Sequence, residues 1–600
     1  MGVSTEATLA ARVLEDLDAE QRAVATSFGC PVVVLAGAGT GKTRAITHRI
    51  AYGAASGVLE ARRTLAVTFT SKAATELRRR LTQLGVPRVQ ARTFHAAALR
   101  QISYFWPRVY GVELPPVANG NFGIIAEAAR AVPISVETPL LRDLAAEISW
   151  AKVSNVPPDR YGDLAPQAGR EVGGLDADQV ASVLVRYEQV KKHQGVIDFD
   201  DILLCAIALL HEHPEVADQV RDQYRHFVVD EYQDVSPIQR TMLELWLGDR
   251  EDICVVGDPN QAIHTFAGAQ PAYLTTFGRD HPGALTLRLR TNYRSTPQVL
   301  TVANALIGSG AGLRATRDGG PAVQVVAAAD EQTEAADAVS WLVAQHHRGL
   351  AWRQLAVLYR INAQSEVLAG ELRAAKVPFV LRDAEHQDPS DDAVTLSTIH
   401  SAKGLEWEAV AMIGLSDGLL PFVLADTAAA IAEEKRLLYV GLTRARTELR
   451  LSWARTGGHG RGMREPSRFL RTAGLVERGV VTSDMPQQGS RFRKPRALPA
   501  CHVCGEALSD AVEIKLGRHE GCPARLDVEL LDALHQWRSV QAQNQSVPAF
   551  VVFTDATLRA LAEQKPVDPA DLMKIPGIGR VKCECYGNQL IEVIAHHASV

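Results

Sequence analysis

Nowhere in this 600-residue chain do eighteen apolar residues run together, so no segment reads as a membrane span. Nor does it open like a secretory precursor. Residues 1–20 are acidic and helical in pattern, without a basic start or an apolar core, and the expected compartment is the cytoplasm. There is no excess of positive charge, the formal net charge being −5. That balance decides nothing about nucleic acid, because a protein gripping a strand in one groove needs only local positive potential. Basic clusters occur at Arg78-Arg79-Arg80, from Arg288 to Arg294 and from Arg491 to Arg496, and a solvated face would explain each equally well. A disulfide framework is also missing. Of the eight cysteines, Cys30, Cys205 and Cys254 stand alone in apolar surroundings and read as core thiols. Cys501, Cys504 and Cys522 share one short segment, which suggests metal, whereas Cys583 and Cys585 have no partners by spacing and read as structural. No nuclease constellation is visible.

What is present has the balance of ordinary globular protein, 46% hydrophobic and 22% charged, at a length that predicts about four domains. The chain is organised around residues 32–48. Val32 to Leu35 read as a buried parallel strand, a Gly-rich loop follows, and a helical pattern begins after it. That order is a P-loop: Ala36, Gly37, Ala38, Gly39, Thr40 and Gly41 let backbone N–H groups turn around phosphates at a helix N-terminus. Lys42 would reach the β/γ-phosphates and the Thr43 hydroxyl would ligate Mg²⁺. Ala36 stands where the usual pattern has Gly. Upstream, Gln21 fits either a capping box with Asp18 or an amide reading the adenine edge.

Further along, residues 64–70 form a strand and residues 71–78 the helix after it, so Thr70 sits at a strand end suited to a nucleic-acid phosphate. Thr93-Phe94-His95 repeats the theme. Residues 100–195 lose the strand signal and read as a helical insertion, ending at Asp198-Phe199-Asp200-Asp201. The strand of residues 226–229 runs into Asp230 and Glu231. In a P-loop protein, the first holds Mg²⁺ and the second takes a proton from, or orients, the attacking water. Gln261, after the next strand, is a candidate γ-phosphate sensor, and Phe266 could stack on a base. Arg294 fits a γ-phosphate or a surface ion pair, and Tyr293 could stack on adenine. Strands and helices alternate again from residue 355, and Arg444 is the best candidate for an arginine finger.

Six segments then occur in one order: residues 36–43, 67–74, 230–234, 292–295, 398–406 and 439–445. With them the chain resembles superfamily 1 helicases of the UvrD/Rep/PcrA type across residues 17–470. The resemblance implies an α/β fold: two RecA-like P-loop motor domains with parallel sheets, and ATP and Mg²⁺ in the cleft between them. Domain 1A would take residues 1–97 and 197–288, a helical 1B insertion 98–196, and domain 2A 289–471. It further implies 3′→5′ movement on single-stranded DNA, action on 3′-tailed duplexes and with repair proteins, association with the nucleoid, and a monomer or weak dimer. Carried over, Gln21 and Arg44 contact the base and Tyr293 stacks on it. Lys42, Gln261, Arg294 and Arg444 hold phosphates. Thr43 and Asp230 hold Mg²⁺, Glu231 is the catalytic base, and Glu406 contacts the ribose. Thr70, Phe94, His95, Phe266, Thr398 and His400 lie along the DNA.

Two departures stand out. The family often has Tyr and then Trp-Arg where His264 and Phe266-Ala267 stand here. Its large 2B insertion would have to fit into residues 361–393, below the ~50 residues of a small domain, so 2B is expected to be absent or reduced to a short helix and loop near 363–393. Proline-rich, polar residues 472–500 read as a linker. In residues 501–524, Cys501, Cys504, His519 and Cys522 have the paired spacing of a tetrahedral Zn²⁺ site. Residues 525–600 resemble an HRDC domain, an all-α module that would dock on DNA phosphate or on protein. Motor, zinc segment and HRDC together point to the HRDC-bearing branch of UvrD-like helicases, with a translocase that strips proteins from single strands as the alternative activity.

Overall fold

A computed structural model describes residues 10–308, 312–382, 392–425, 427–457, 460–476 and 527–544, and most of 552–598. The first sheet has six strands, β1 (Val32–Ala36), β2 (Thr64–Thr68), β3 (Gln90–Thr93), β4 (His226–Val229), β5 (Ile253–Gly257) and β6 (Leu285–Leu289), in the order β3-β2-β4-β5-β1-β6. Every pairing is parallel; Val33 lies opposite Val255 on one side and Thr286 on the other. Helices cover both faces, which is why β1, β2 and β5 are apolar almost throughout rather than alternating. The chain order places the loops after β1, β2, β3, β4 and β5 along one carboxyl edge, where open parallel sheets bind ligands.

Two short strands, β7 (Thr291–Asn292) and β8 (Arg314–Ala315), pair with each other just beyond this sheet. The second sheet follows. It contains β9 (Gln324–Asp330), β10 (Leu355–Tyr359), β11 (Phe379–Arg382), β12 (Val394–Thr398), β13 (Trp407–Met412), β14 (Ala445–Gly457) and β15 (Gly460–Met463). The path is β11-β12-β10-β13-β14-β15 with β9 against β14, and only the β14–β15 pair is antiparallel. Both halves are therefore α/β with parallel sheets, as expected.

Two expected boundaries move. Helix Phe94–Tyr110 crosses the 97/98 border and buries Ala97, Ala98 and Ile102 in the core of the first sheet, so 1B proper starts later. Its own core gathers Ile125, Leu144, Ile148, Tyr161, Val183 and Tyr187 from helices within residues 122–194. The segment expected to hold a 2B remnant is part of the second sheet. Helix Gln364–Ala374 buries Leu368 and Leu372 against Val357 and Leu396, and β11 adds an edge strand parallel to β12. Apolar spacing at Leu368, Ala369 and Leu372 presses the helix onto the sheet. Residues 383–391 lie outside the described residues.

At the root of 1B, Lys152 and Lys191 share Asp198 and Asp201 over 2.5–3.1 Å, and all four side chains are buried. The ammonium groups fill the space between Glu188, Asp198 and Asp201 that a metal would need. Burial alone would raise the Asp198 carboxyl, but the two lysines hold it down at about 2. Its contribution to stability is therefore present above the ordinary carboxylate range and is lost as pH falls towards 2. Asp198→Ala leaves two buried cations sharing Asp201 and Glu188, one carboxylate short, and an unfolding midpoint measured at neutral pH should report a loss of about 3 kcal/mol.

The C-terminal residues form a separate unit. Helices Val528–Asn544, Asp555–Gln564, Pro569–Leu572 and Arg580–Ala598 close on Leu530, Leu534, Phe553, Leu561, Leu572 and Leu590. Among the described residues Cys30, Cys205, Cys254 and Cys583 are free; Cys254 is fully buried and Cys583 donates to the Pro569 carbonyl. No described helix is long and apolar enough to cross a membrane.

Candidate nucleotide cleft and nucleic-acid face

The loop after β1 carries two glycines that no other residue could replace. Gly39 (φ +68°) and Gly41 (φ +76°) are left-handed, and a Cβ on them would lie 2.4 Å from Asn292 Nδ2 and 2.6 Å from Gln21 Nε2. Gly41 opens helix Lys42–Ala55 without a side-chain cap, leaving its first N–H groups to an anion. Thr40 ties the loop by donating to the Gly37 carbonyl, while Ala36 ends β1 and Ala38 is buried beside it. The Gln21 amide is buried and donates 3.1 Å to Thr40 O. Asp18 accepts from Gln21 N, but the side chain of Gln21 does not return to the cap. Only half of the expected capping box forms, and the amide braces the phosphate loop instead. Arg44 donates to Asp16 O, and the exposed Tyr293 is held by its hydroxyl to the Asp18 carboxylate.

Asp230 and Glu231 follow β4 at the same edge. Lys42 Nζ lies 3.0 and 3.1 Å from the two Glu231 oxygens, and Gln233 Nε2 donates to the same carboxylate. Glu231 is the one residue of this group with positive φ, at +54°. Its burial would raise the carboxyl, yet Lys42 and Lys403 hold it at about 2. Asp230, buried next to that charge, is pushed up to about 7. An oxygen-only donor set of Thr43 and a buried carboxylate at Asp230 beside the Glu231 charge fits Mg²⁺, which prefers oxygen ligands and would relieve the repulsion.

The second half supplies cations. Asn292 donates 2.6 Å to Ala38 O and accepts from Arg294 N and Ser295 N, so the phosphate loop and Arg294 are fixed to each other. Arg294 Nε meets Glu406 at 2.5 Å, and Glu406 also receives Arg446. Burial would raise the Glu406 carboxyl, but Arg294 and Arg446 keep it below its ordinary value. Arg444 is 1% exposed. Its guanidinium donates to Val440 O, Leu405 O, Thr443 Oγ1 and, at 3.2 Å, Gln261 Oε1. Burial and then Arg294 push it down to about 9. Gln261 Nε2 in turn donates to Asp258.

Asp234 and Lys403 fall within the segments 230–234 and 398–406 without a role assigned from sequence. Lys403 Nζ lies 2.5 Å from Asp234 and 2.7 Å from the Gln261 carbonyl, bolting the two halves together. Both sit in polar segments, and nothing local in the sequence pairs them.

The nucleic-acid candidates fall into two groups. Phe266, 57% exposed, meets His400 edge-on at 5.9 Å, with Thr398 two residues before the histidine. Thr70 is exposed and caps helix Ser71–Gln83, and His95 stacks at 4.0 Å on the exposed Phe199. Burial lowers His95 and His400 to about 4, so both rings are neutral at physiological pH. Phe199 had no assigned role; an exposed phenyl between aspartates was its signal. Phe94 does not belong to this face. It is 1% exposed and stacks at 5.9 Å on Trp246, because the first turn of its helix points into the sheet. Cys501, Cys504, His519 and Cys522 lie outside the described residues.

Arginines brought by one parallel sheet to the phosphate loop of another are how a tandem-sheet nucleotide motor senses closure, and this cleft belongs to that class. Residues 17–282 match the UvrD/REP helicase N-terminal domain, residues 287–387 and 380–456 the UvrD-like helicase C-terminal domain, and residues 527–594 the HRDC domain. The chain is 38% identical to proteins named ATP-dependent DNA helicase UvrD2 from Mycobacterium tuberculosis and Mycobacterium bovis, over 97% of its length and 98% of theirs. It is 30% identical to the ATP-dependent DNA helicase PcrA of Staphylococcus epidermidis, over 62% of this chain and 51% of that one. The chain belongs to the UvrD/REP helicase family. The 696 aligned positions with the mycobacterial proteins outnumber its 600 residues, so those relatives carry segments that face gaps here.

Proposed function

We propose that the chain is an ATP-driven DNA helicase moving 3′→5′ along single-stranded DNA in the cytoplasm, working in repair or replication as a monomer or weak dimer. The observation that carries this is the bond between Gln261 and Arg444: it joins the phosphate side of the first sheet to the second, five residues before the exposed Phe266. Lys42, Gln261, Arg294 and Arg444 hold the phosphates. Thr43 and Asp230 hold Mg²⁺, which supplies charge neutralisation, and Glu231 takes the proton of the attacking water. Tyr293 stacks on the base beside Gln21 and Arg44, and Glu406 meets the ribose. Thr70, His95, Phe266, Thr398 and His400, with Phe199, track the strand by stacking and phosphate contact.

The assignment of residues 364–382 to the second sheet favours keeping a second reading, a translocase that displaces proteins and opens duplexes poorly. Strand separation on a 3′-tailed duplex with ATP and Mg²⁺ decides, comparing the full chain with one ending at Ser490. The expected result is unwinding by the full chain. DNA-stimulated hydrolysis without unwinding in both would replace the helicase by the translocase. Zinc is proposed at Cys501, Cys504, His519 and Cys522 on their spacing. Metal analysis should find about one Zn²⁺ per chain, lost in a Cys501→Ser, Cys504→Ser variant; equal metal in both would remove the site.

A further inference from the structure

We propose that Glu433 is a positioning residue that ties the base-stacking turn at Phe266 to the arginine-bearing helix of the second sheet, so that closure on nucleotide is transmitted to the DNA face. The inference rests on Phe266 being a base platform.

Helix Ala428–Leu442 ends two residues before Arg444. One side of it grips the chain that leads from Gln261 to Phe266. Glu433 takes Thr265 with both carboxylate oxygens: one accepts from the backbone N–H at 2.9 Å, the other from the hydroxyl. Arg436, one turn on, donates 2.7 Å to the Ala262 carbonyl. Residues 262–265 are thus held at both ends by one helix, and Gln261, just before them, is held by Arg444 at that helix's far end. A helix transmits displacement along its axis with little loss, since its backbone bonds are all internal. A shift of Arg444 relative to the first sheet therefore moves Glu433, and with it Thr265 and the adjoining phenyl.

The turn cannot yield the other way. A Cβ on Gly268 (φ +93°) would lie 2.7 Å from Val153 Cγ2, so the backbone of the turn is pressed against the 1B helix Thr138–Val153. On the same side Arg170 Nη1 lies 3.4 Å from the Phe266 carbonyl, with its charge already satisfied by Glu147. The turn sits between a wall and a carboxylate clamp. Ala267 has no side chain to bond with and Phe266 meets the second half only by its ring contact with His400, so among the described residues Thr265 is the side chain of the turn hydrogen-bonded across the halves.

The test uses the full chain and a single-stranded oligonucleotide carrying 2-aminopurine, whose fluorescence reports stacking. It records the change in that signal on adding a non-hydrolysable ATP analogue and, on a separate 3′-tailed duplex with ATP, the base pairs opened per ATP consumed. Glu433→Gln, which keeps one accepting oxygen where the Thr265 N–H and hydroxyl use two, and Thr265→Val should each reduce both readouts about tenfold, within the usual range of coupling between sites. Thr265→Ser keeps both bonds and should match the wild type. Phe266→Ala isolates the platform itself: an unchanged nucleotide-independent stacking signal in that variant would sink the platform reading. A lost signal in Phe266→Ala together with wild-type coupling in Glu433→Gln would overturn the role of Glu433 alone. If Thr265→Ser behaves like Thr265→Val, the bonds are not the link and the proposal fails.

Discussion

Glu231→Gln should lower ATP turnover at saturating single-stranded DNA by about 10²–10⁴-fold, the usual worth of a general base, while MgATP still binds. The amide keeps the shape of the side chain and can still bond Gln233, but it cannot accept a proton. The carboxylate starts from an unpromising state: Lys42 and Lys403 hold it at about 2, too acidic to draw a proton from water. A γ-phosphate competes for Lys42, which otherwise stands 3.0 Å from Glu231. Once that counter-charge turns to the phosphate, burial raises the basicity of the carboxylate. Substrate binding thus activates the base. Single-turnover hydrolysis with labelled ATP measures the effect, and a rate within threefold of wild type would assign the water to another group. Lys42→Ala frees the carboxylate but also removes the cation proposed for the β/γ-phosphates, and that second effect should dominate and give a comparable loss.

Arg444→Ala should be costlier still. An arginine acting on the transferring phosphoryl group is worth about 10³–10⁵ in rate. Arg444 remains charged at neutral pH even though burial and Arg294 push it down to about 9. Its fork is shared between two backbone carbonyls of its own half and Gln261 of the other, so lysine, with a single point charge, cannot replace it. Arg444→Lys is expected to recover less than a tenth of the lost rate. Because the alanine variant also frees carbonyl groups of the second half, its unfolding midpoint must be recorded beside its kinetics. A loss of rate below tenfold with a lowered midpoint would make Arg444 a structural bolt and leave Arg294 as the phosphate contact.

The cleft was legible in the sequence because strand, Gly-rich loop and helix are contiguous. Residues 32–48 dictate their own geometry, and Asp230-Glu231 follow a strand whose apolar run is complete. Legibility failed where partners are distant in sequence. Nothing near residue 94 reveals that Trp246 lies beneath it, so an aromatic after a strand read as a DNA contact when it was core. The cross-half bolts, Lys403 to Asp234 and Glu433 to Thr265, span 169 and 168 residues and have no local pattern. The length of residues 361–393 was enough to expect a 2B that is absent or reduced to a short helix and loop, and the spacing of Leu368, Ala369 and Leu372 then lays that helix on the second sheet.

The chain leaves the first sheet after Leu289 and joins the second at Gln324, and the start of that single crossing lies against the phosphate loop, where Tyr293 N donates to Gly39 O. The fulcrum of any rotation is therefore at the nucleotide. Glu433 lies eleven residues from Arg444, a lever arm of about 16 Å at helical rise. Advancing a strand by one nucleotide, ~3.4 Å, then asks for a rotation of about 12°. The gearing favours travel over force: a small angular change at the phosphates becomes a full nucleotide at the aromatic face, and the load the strand can bear falls in proportion.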